Sequence, residues 1–250
     1  MRKFGLIGYP LGHSFSKKYF SEKFENENIT DCYYENFPLQ EIALFRNLIL
    51  DEPDLAGLNV TIPWKSEIIG FLDTISMEAS EIGAVNVIRF SRNGDRLTLH
   101  GYNSDVIGIR DSLIPYIKPS LRKAIVLGTG GSSKAVCFVI KKLGIEITHV
   151  SRNRSEGKIS YADITPSLIE EAGLIVNTTP LGMYPNTDGC PELDYSHLTE
   201  RHILFDLVYN PEVTTFLRKG SENGCTVISG LKMLHSQAEK AWQIWNSNGI

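Results

Sequence analysis

The sequence predicts an α/β protein built as two successive domains. Three observations carry this. Apolar stretches of strand length alternate with stretches of helical periodicity from one end of the chain to the other. One alternation, Ala124-Ile-Val-Leu-Gly128-Thr-Gly130-Gly131-Ser132-Ser133-Lys134, is an apolar strand ending in a glycine turn that opens a helix. A proline-bearing break at residues 115–120 separates that unit from the strands and helices before it, which form a domain of their own.

The elements follow in order. Residues 3–8 read as a short strand, followed by a loop closed by Ser14 and Ser16. Either serine suits the N-cap of a helix running to residue 27, with Tyr19, Phe20 and Phe24 on one face. Capping is the simpler reading; the sharper one has two hydroxyls facing a polar ligand. Residues 31–37 read as a strand, 39–50 as a helix and 55–60 as a third strand. This strand runs into Asn59-Val-Thr61-Ile-Pro63-Trp-Lys65, and alternation puts Asn59 and Thr61 on one side of the extended chain. Pro63 suits the start of a helix, with Lys65 in its first turn. A lysine is mildly unfavourable there, and most lysines are solvated. The polar strand end, the proline and the lysine together favour a site.

A short helix at 76–82 precedes two strands, 83–90 and 97–101, joined by an Asn-Gly hairpin turn. Asn86, early in the first of them, is either a ligand contact or an amide bonded to its own backbone. Asp105 opens a helix ending near Leu113, where a carboxylate also suits the helix dipole as a plain cap.

In the glycine turn, glycines let the backbone bend sharply and approach a ligand, and the helix start directs unsatisfied N–H groups at an anion. With the strand at 145–150 this completes a βαβ unit, read as a dinucleotide site although Ser133 stands where the common fingerprint has its third glycine. The second strand leads into Ser151-Arg152-Asn153, with Arg152 24 residues after Gly128. An acidic residue there would grip the ribose hydroxyls of NAD; an arginine suits the 2′-phosphate of NADP, which favours NADP over NAD. Strands at 173–177 and 202–206 lead into Asn177-Thr178-Thr179-Pro180-Leu-Gly-Met183 and Leu207-Val-Tyr209, a helix fills 214–222, and a last strand 225–228. Gly230 breaks the chain before an amphipathic helix over 233–246, with Gln237 beside its apolar stripe.

Composition narrows the function. Hydrophobic residues at 42% and charged residues at 22% are globular values, and a net charge of −4 offers no bulk attraction to nucleic acid or to an anionic membrane. The first residues lack the apolar core of a signal peptide, and no apolar run approaches membrane-spanning length. The four cysteines form no CxxC pair and the six histidines lack ligand spacing, which predicts reduced thiols, no metal and a cytoplasmic location.

Taken together, nine motifs in order resemble the shikimate dehydrogenase family: Ser14-x-Ser16, Asn59 to Lys65, Gly83 to Asn86, Asn103-Ser-Asp105, Gly128 to Gly131, Ser151-Arg152, Asn177 to Pro180, Asp206-x-x-Tyr209, and Gly230 to Gln237. The resemblance implies a substrate-binding domain at 1–103 and 231–250, an NADP-binding Rossmann-like domain at 104–230, and a C-terminal helix returning to the first. It implies reversible, NADPH-dependent reduction of 3-dehydroshikimate to shikimate, on the route to chorismate and aromatic amino acids, by a monomer or homodimer. Ser14, Ser16, Asn59, Thr61, Asn86, Asp105, Tyr209 and Gln237 would hold the substrate, with Lys65 and Asp105 the catalytic pair. Gly128, Gly130, Gly131, Ser132, Ser151, Arg152, Asn153, Thr178, Thr179, Pro180, Met183, Leu207 and Gly230 would line the cofactor.

The chain departs from the family where Glu156 replaces a second phosphate-binding arginine, for which Arg154 and Lys158 are the candidate substitutes. Two alternatives remain beside the main reading: a relative accepting quinate, or NAD, or both, and a non-catalytic ligand sensor on the same fold. The presence of both Lys65 and Asp105 argues against the sensor, which needs no proton donor.

Overall fold

The computed structural model describes residues 1–12 and 15–247, so Ser14 lies outside the described residues. The chain is mixed α/β and divides into two compact units, Met1–Ser104 with Ala238–Ile250, and Asp105–Gln237.

The first unit carries strands β1 (Arg2–Gly8), β2 (Cys32–Pro38), β3 (Leu55–Val60), β4 (Thr74–Ile75), β5 (Val87–Asn93) and β6 (Arg96–Tyr102), with helices α1 (Phe15–Asn26), α2 (Phe45–Asp51) and α3 (Met77–Ile82). They form one sheet in the order β2-β1-β3-β5-β6-β4. β1 pairs in parallel with β2 and β3, whereas β5 runs antiparallel to β3 and β6. Side chains alternate across the sheet. On one face Ile7, Leu58, Val60 and Ile88 pack with Phe45 of α2 and with Ile68. On the other, Phe4 and Leu6 pack with Phe20 and Phe24 of α1 and with Ala238, Ala241, Ile244 and Trp245 from the last helix. Trp245 stacks on Phe4 with ring centroids 4.7 Å apart, and its indole N–H donates to the Ile88 carbonyl at 3.1 Å.

The second unit carries α4 (Asp105–Leu113), β7 (Lys123–Leu127), α5 (Gly131–Lys142), β8 (Glu146–Ser151), β9 (Ile159–Ser160), α6 (Pro166–Glu171), β10 (Leu174–Asn177), β11 (Ile203–Asp206), α7 (Thr215–Glu222) and β12 (Thr226–Ile228). Helix α8 (Leu231–Asn246) begins in this unit, and its turns from Ala238 onward belong to the first. All strand pairs of the second unit are parallel, in the order β12-β11-β10-β7-β8-β9. Ile125, Leu127, Ile175 and Leu204 pack on one face against Phe216 and Leu217 of α7 and Ile169 of α6. Thr214 and Thr165 cap α7 and α6 by accepting from Leu217 N–H and Leu168 N–H, each at 3.3 Å.

Several boundaries move. The helix expected over 39–50 is a 3₁₀ turn, Ile42–Leu44, running into α2. The strand expected from residue 83 begins at Val87, because Gly83 ends α3 in a left-handed conformation and residues 84–86 link the two. β4, β9 and α6 carry too few residues for periodicity to reveal them.

Candidate active site

In the first unit the candidate residues gather where β3 ends. Thr61 N–H donates to Ile7 O at 2.9 Å, and Trp64 N–H to Thr61 O at 3.0 Å. Residues 62–66 then form hydrogen-bonded turns, and only at Glu67–Phe71 does a 3₁₀ helix begin. Lys65 therefore precedes the helix instead of occupying its first turn. The cause is tertiary. The Trp64 indole N–H donates to Leu39 O at 2.9 Å, the Lys65 carbonyl accepts from Val85 N–H at 2.7 Å, and Ser66 Oγ donates to Gly83 O at 3.3 Å. Lys65 is 9% exposed, so the reading of a solvated surface lysine fails. An ammonium drawn from water to this degree is costly unless polar groups compensate it, which is a reason to look for chemistry there.

Next to it runs a buried polar chain. Tyr34 on β2 donates its hydroxyl to Asn59 Oδ1 at 2.8 Å, and Asn59 Nδ2 donates to the Asn86 carbonyl at 3.4 Å. Asn86 Oδ1 accepts from Ser104 N–H at 2.7 Å, and Asn86 Nδ2 donates to Ser104 Oγ at 3.0 Å. The Asn86 amide thus bonds a segment 18 residues away rather than its own backbone. Asn103 Nδ2 donates to Ala84 O at 2.9 Å and anchors the same segment. Ser16 lies inside α1, so it does not cap that helix; its hydroxyl bonds to Tyr34. Thr61 is half-buried one step beyond β3.

In the second unit Asp105 is the first residue of α4 and 3% exposed, at the positive end of the helix dipole. Tyr209 is half-buried after β11, and burial pushes its phenol pKa up. Gln237 Nε2 donates to Leu234 O at 2.9 Å.

The glycine turn sits at the end of β7. Gly128 has φ of 105°, left-handed backbone that only glycine takes comfortably, and a methyl group there would stand 2.6 Å from Thr178 Oγ1. Gly130 is the N-cap of the 12-residue helix α5, and Gly131 its first residue, with Ser132 half-buried next to them. Ser133, in the place of the third fingerprint glycine, is fully buried and donates its hydroxyl to Gly128 O at 2.7 Å. His149 Nε2 lies 2.5 Å from the same carbonyl and 3.0 Å from Ser133 Oγ, and burial lowers its pKa, favouring the neutral ring. Across the fork Thr178 N–H and Oγ1 both donate to Leu127 O, at 2.9 and 2.6 Å.

Asn177 orders the next loop: its Oδ1 accepts from Thr179 N–H and Oγ1 at 3.0 and 2.6 Å. Its Nδ2 donates to Asp206 Oδ1 at 2.9 Å. Asp206 also accepts from Val208 N–H at 3.0 Å and Thr214 Oγ1 at 2.6 Å, and burial pushes its pKa up to about 6. Leu207 N–H donates to Asn177 O at 3.0 Å, while Pro180 and Met183 stand exposed. Gly230 is buried against the Leu207 and Val208 carbonyls, a packing that leaves no room for a side chain.

At the end of β8, Ser151 Oγ turns back to the Asn153 carbonyl, and Arg152 and Asn153 are exposed. Among the described residues the Arg152 guanidinium makes no hydrogen bond or ion pair. Arg154 is held by Asp163 through two bonds, at 2.8 and 3.2 Å. The groups sequence reasoning left unassigned are Tyr34, Ser104, Ser133, His149 and Asp206. Ser104, Ser133 and Asp206 each stand within a motif but without an assigned role, whereas Tyr34 and His149 carried no sequence signal.

A parallel sheet in this order, whose first strand ends in a glycine turn and whose fourth neighbours it at the switch point, defines a Rossmann-type dinucleotide-binding unit. Residues 6–88 match the model of the shikimate dehydrogenase substrate binding domain. Over 261 residues the chain is 35% identical to the NADP(+) shikimate dehydrogenase of Caldanaerobacter subterraneus subsp. tengcongensis, covering 97% of this chain and 90% of the relative. Among solved structures, shikimate dehydrogenase 1 from Peptoclostridium difficile is 37% identical with TM-score 0.83, over 100% of this chain and 93% of that one. The Thermus thermophilus enzyme in complex with NADP(H) and shikimate is 30% identical with TM-score 0.84, over 98% and 94%. The chain belongs to the shikimate dehydrogenase family.

Proposed function

We propose that this protein is an NADP-dependent shikimate dehydrogenase, interconverting 3-dehydroshikimate and shikimate. The observation that carries the reading is a buried lysine, Lys65, whose backbone is bonded to Val85 next to the Asn59–Asn86 amide network, in a chain of this family. A network of amides and hydroxyls suits a small polyhydroxylated acid, since buried polar groups left unpaired penalise analogues lacking a hydroxyl.

The chain's groups fit NADP. The N–H groups of Gly130, Gly131 and Ser132 open a 12-residue helix, a ready site for phosphate oxygens. Arg152, exposed and without an internal carboxylate partner among the described residues, suits a 2′-phosphate, and Arg154 does not compete for it because Asp163 already holds it. Ser151, Asn153, Thr178, Thr179, Pro180, Met183, Leu207 and Gly230 would complete the binding surface. When bound, the nicotinamide supplies or accepts the hydride.

The protein's own task is the proton. Reduction of a ring ketone leaves its oxygen needing one, and the Lys65 ammonium gives it; in the oxidative direction the neutral amine takes it back from the shikimate hydroxyl. The Asp105 carboxylate accepts a hydrogen bond from a neighbouring substrate hydroxyl and fixes the ring's orientation. Ser16, Asn59, Thr61, Asn86, Tyr209 and Gln237, together with Ser14, would meet the remaining hydroxyls and the carboxylate. The test is an absorbance assay of shikimate-dependent NADP reduction, repeated with quinate and with NAD. We expect shikimate with NADP to be the preferred pair. Binding of shikimate without turnover would leave only a ligand sensor.

A further inference from the structure

The hydroxyl of Tyr34 belongs to none of the roles above, yet it sits at the junction of two of the substrate residues. It is buried, 3% exposed, with its ring stacked on Phe20 at 4.8 Å and near-parallel at 13°. Ring packing fixes the direction of the C–O bond. The hydroxyl then donates to Asn59 Oδ1 at 2.8 Å and also bonds with the Ser16 side chain. The orientation of the Asn59 amide is not free. The carbonyl of Asn86 only accepts, so Asn59 must turn its nitrogen towards it, and its oxygen towards Tyr34. One N–H of Asn59 is spent on Asn86, and the other is left to donate to a ligand.

We propose that Tyr34 is a positioning residue for the substrate pocket: its hydroxyl locks the Asn59 amide with a nitrogen facing the ligand and holds Ser16 at the start of α1 in register with it. The proposal rests on the reading of Asn59 and Ser16 as shikimate contacts. Without the hydroxyl, the Asn59 oxygen loses the donor that holds it, and the amide keeps only its long 3.4 Å bond to the Asn86 carbonyl, which holds the ligand-facing N–H less firmly in place. Ring packing in Tyr34→Phe is retained, so the fold survives and the loss is one of orientation.

The experiment measures Tyr34→Phe, Asn59→Ala and the double variant in the full-length protein, with steady-state kinetics and with shikimate binding by calorimetry. Tyr34→Phe is expected to raise the KM and Kd for shikimate roughly fivefold to twentyfold, with kcat within about threefold and the KM for NADP unchanged. Because Tyr34 acts through Asn59, adding Tyr34→Phe to Asn59→Ala should cost little more than Asn59→Ala alone. An unchanged shikimate Kd in Tyr34→Phe, or full additivity of the two changes, overturns the proposal. So does a uniform loss of kcat, both KM values and melting temperature, which marks a purely structural tyrosine. Should the wild type bind shikimate but not turn it over, the reading as an enzyme falls while the Kd comparison still decides the role of Tyr34; if the wild type does not bind shikimate, both fall.

Discussion

Lys65 and Asp206 are both ionisable and both buried, and they answer to different tests. For Lys65 the expected change is in the chemical step. Lys65→Ala removes the proton donor and should lower kcat by about two to four orders of magnitude with the KM for shikimate changed little. A kcat near that of the wild type would remove Lys65 from the mechanism. Asp206 is fully buried, and its pKa rises from 3.8 to about 6, so the folded state holds a proton that the unfolded state releases between those values. Its contribution is therefore fully present below pH 3.8 and lost as pH rises through about 6, a swing of about 3 kcal/mol. Asn at this position can keep the network: its oxygen accepts from Asn177 and Val208, and its nitrogen donates to a rotated Thr214 hydroxyl. Asp206→Asn should therefore gain stability relative to the wild type steadily from pH 4 to pH 7 in urea denaturation. A stability difference that does not vary with pH contradicts the shifted carboxylate. The two residues also differ in legibility. Asn-x-Thr-x-Pro-x-Lys announces Lys65 by residue type, but its burial comes from Trp64 and Ser66 reaching Leu39 and Gly83, contacts that no local pattern encodes. Tyr34 is still less legible, because a tyrosine in an apolar strand looks like any core aromatic until its hydroxyl partner is placed.

Among the elements, the strand–turn–helix of β7 and α5 is legible almost to the residue, and the reason is that its constraints are local. A run of four apolar residues, a backbone reversal needing glycine and a helical period each leave a mark in the sequence. The Ser133 departure is resolved by packing: its hydroxyl, with the His149 ring, occupies the space and satisfies the Gly128 carbonyl. The segment from Thr61 to Phe71 defeats sequence reading for the opposite reason, since its turns are set by hydrogen bonds to residues 39, 83 and 85. The local case yields the sharper prediction. Gly128→Ala forces φ of 105° on a residue with a side chain and presses a methyl group to within 2.6 Å of the Thr178 hydroxyl, which holds β10 to the end of β7. We expect a loss of about 1–3 kcal/mol in stability and a weakening of NADP binding by more than about tenfold, because the fork that would hold the phosphates must open. Calorimetry with NADP checks it; an unaltered Kd means the turn does not approach the cofactor.

For the whole molecule, the order of the chain and the order of the units do not coincide. The second unit is one continuous stretch, Asp105–Gln237, whereas the first needs both Met1–Ser104 and the segment after Gln237. Periodicity shows an apolar stripe on the last helix but not its destination, since it says that a face is buried and not against what; the return to the first domain is an expectation that only the family resemblance supplies. That destination is a face of the first unit's sheet, where Ala238, Ala241, Ile244 and Trp245 meet Phe4, Phe20 and Phe24. Gly57 on β3 lies directly under the Trp245 indole, so strand and helix are matched by the absence of a side chain on one and the largest side chain on the other. The core of the first unit is therefore closed by residues that follow the whole of the second unit in sequence, and the second can complete its sheet without them. Trp245→Ala empties this position and removes the indole bond to the Ile88 carbonyl, at a cost of about 3–5 kcal/mol by the usual scale of large-to-small core changes. The damage should fall on one unit. Shikimate binding is expected to fail at a lower denaturant concentration than in the wild type, while NADP binding persists to its wild-type midpoint, as two-probe denaturation with the two ligands would report. Coincident loss of both ligands would mean that the two units unfold as one cooperative body.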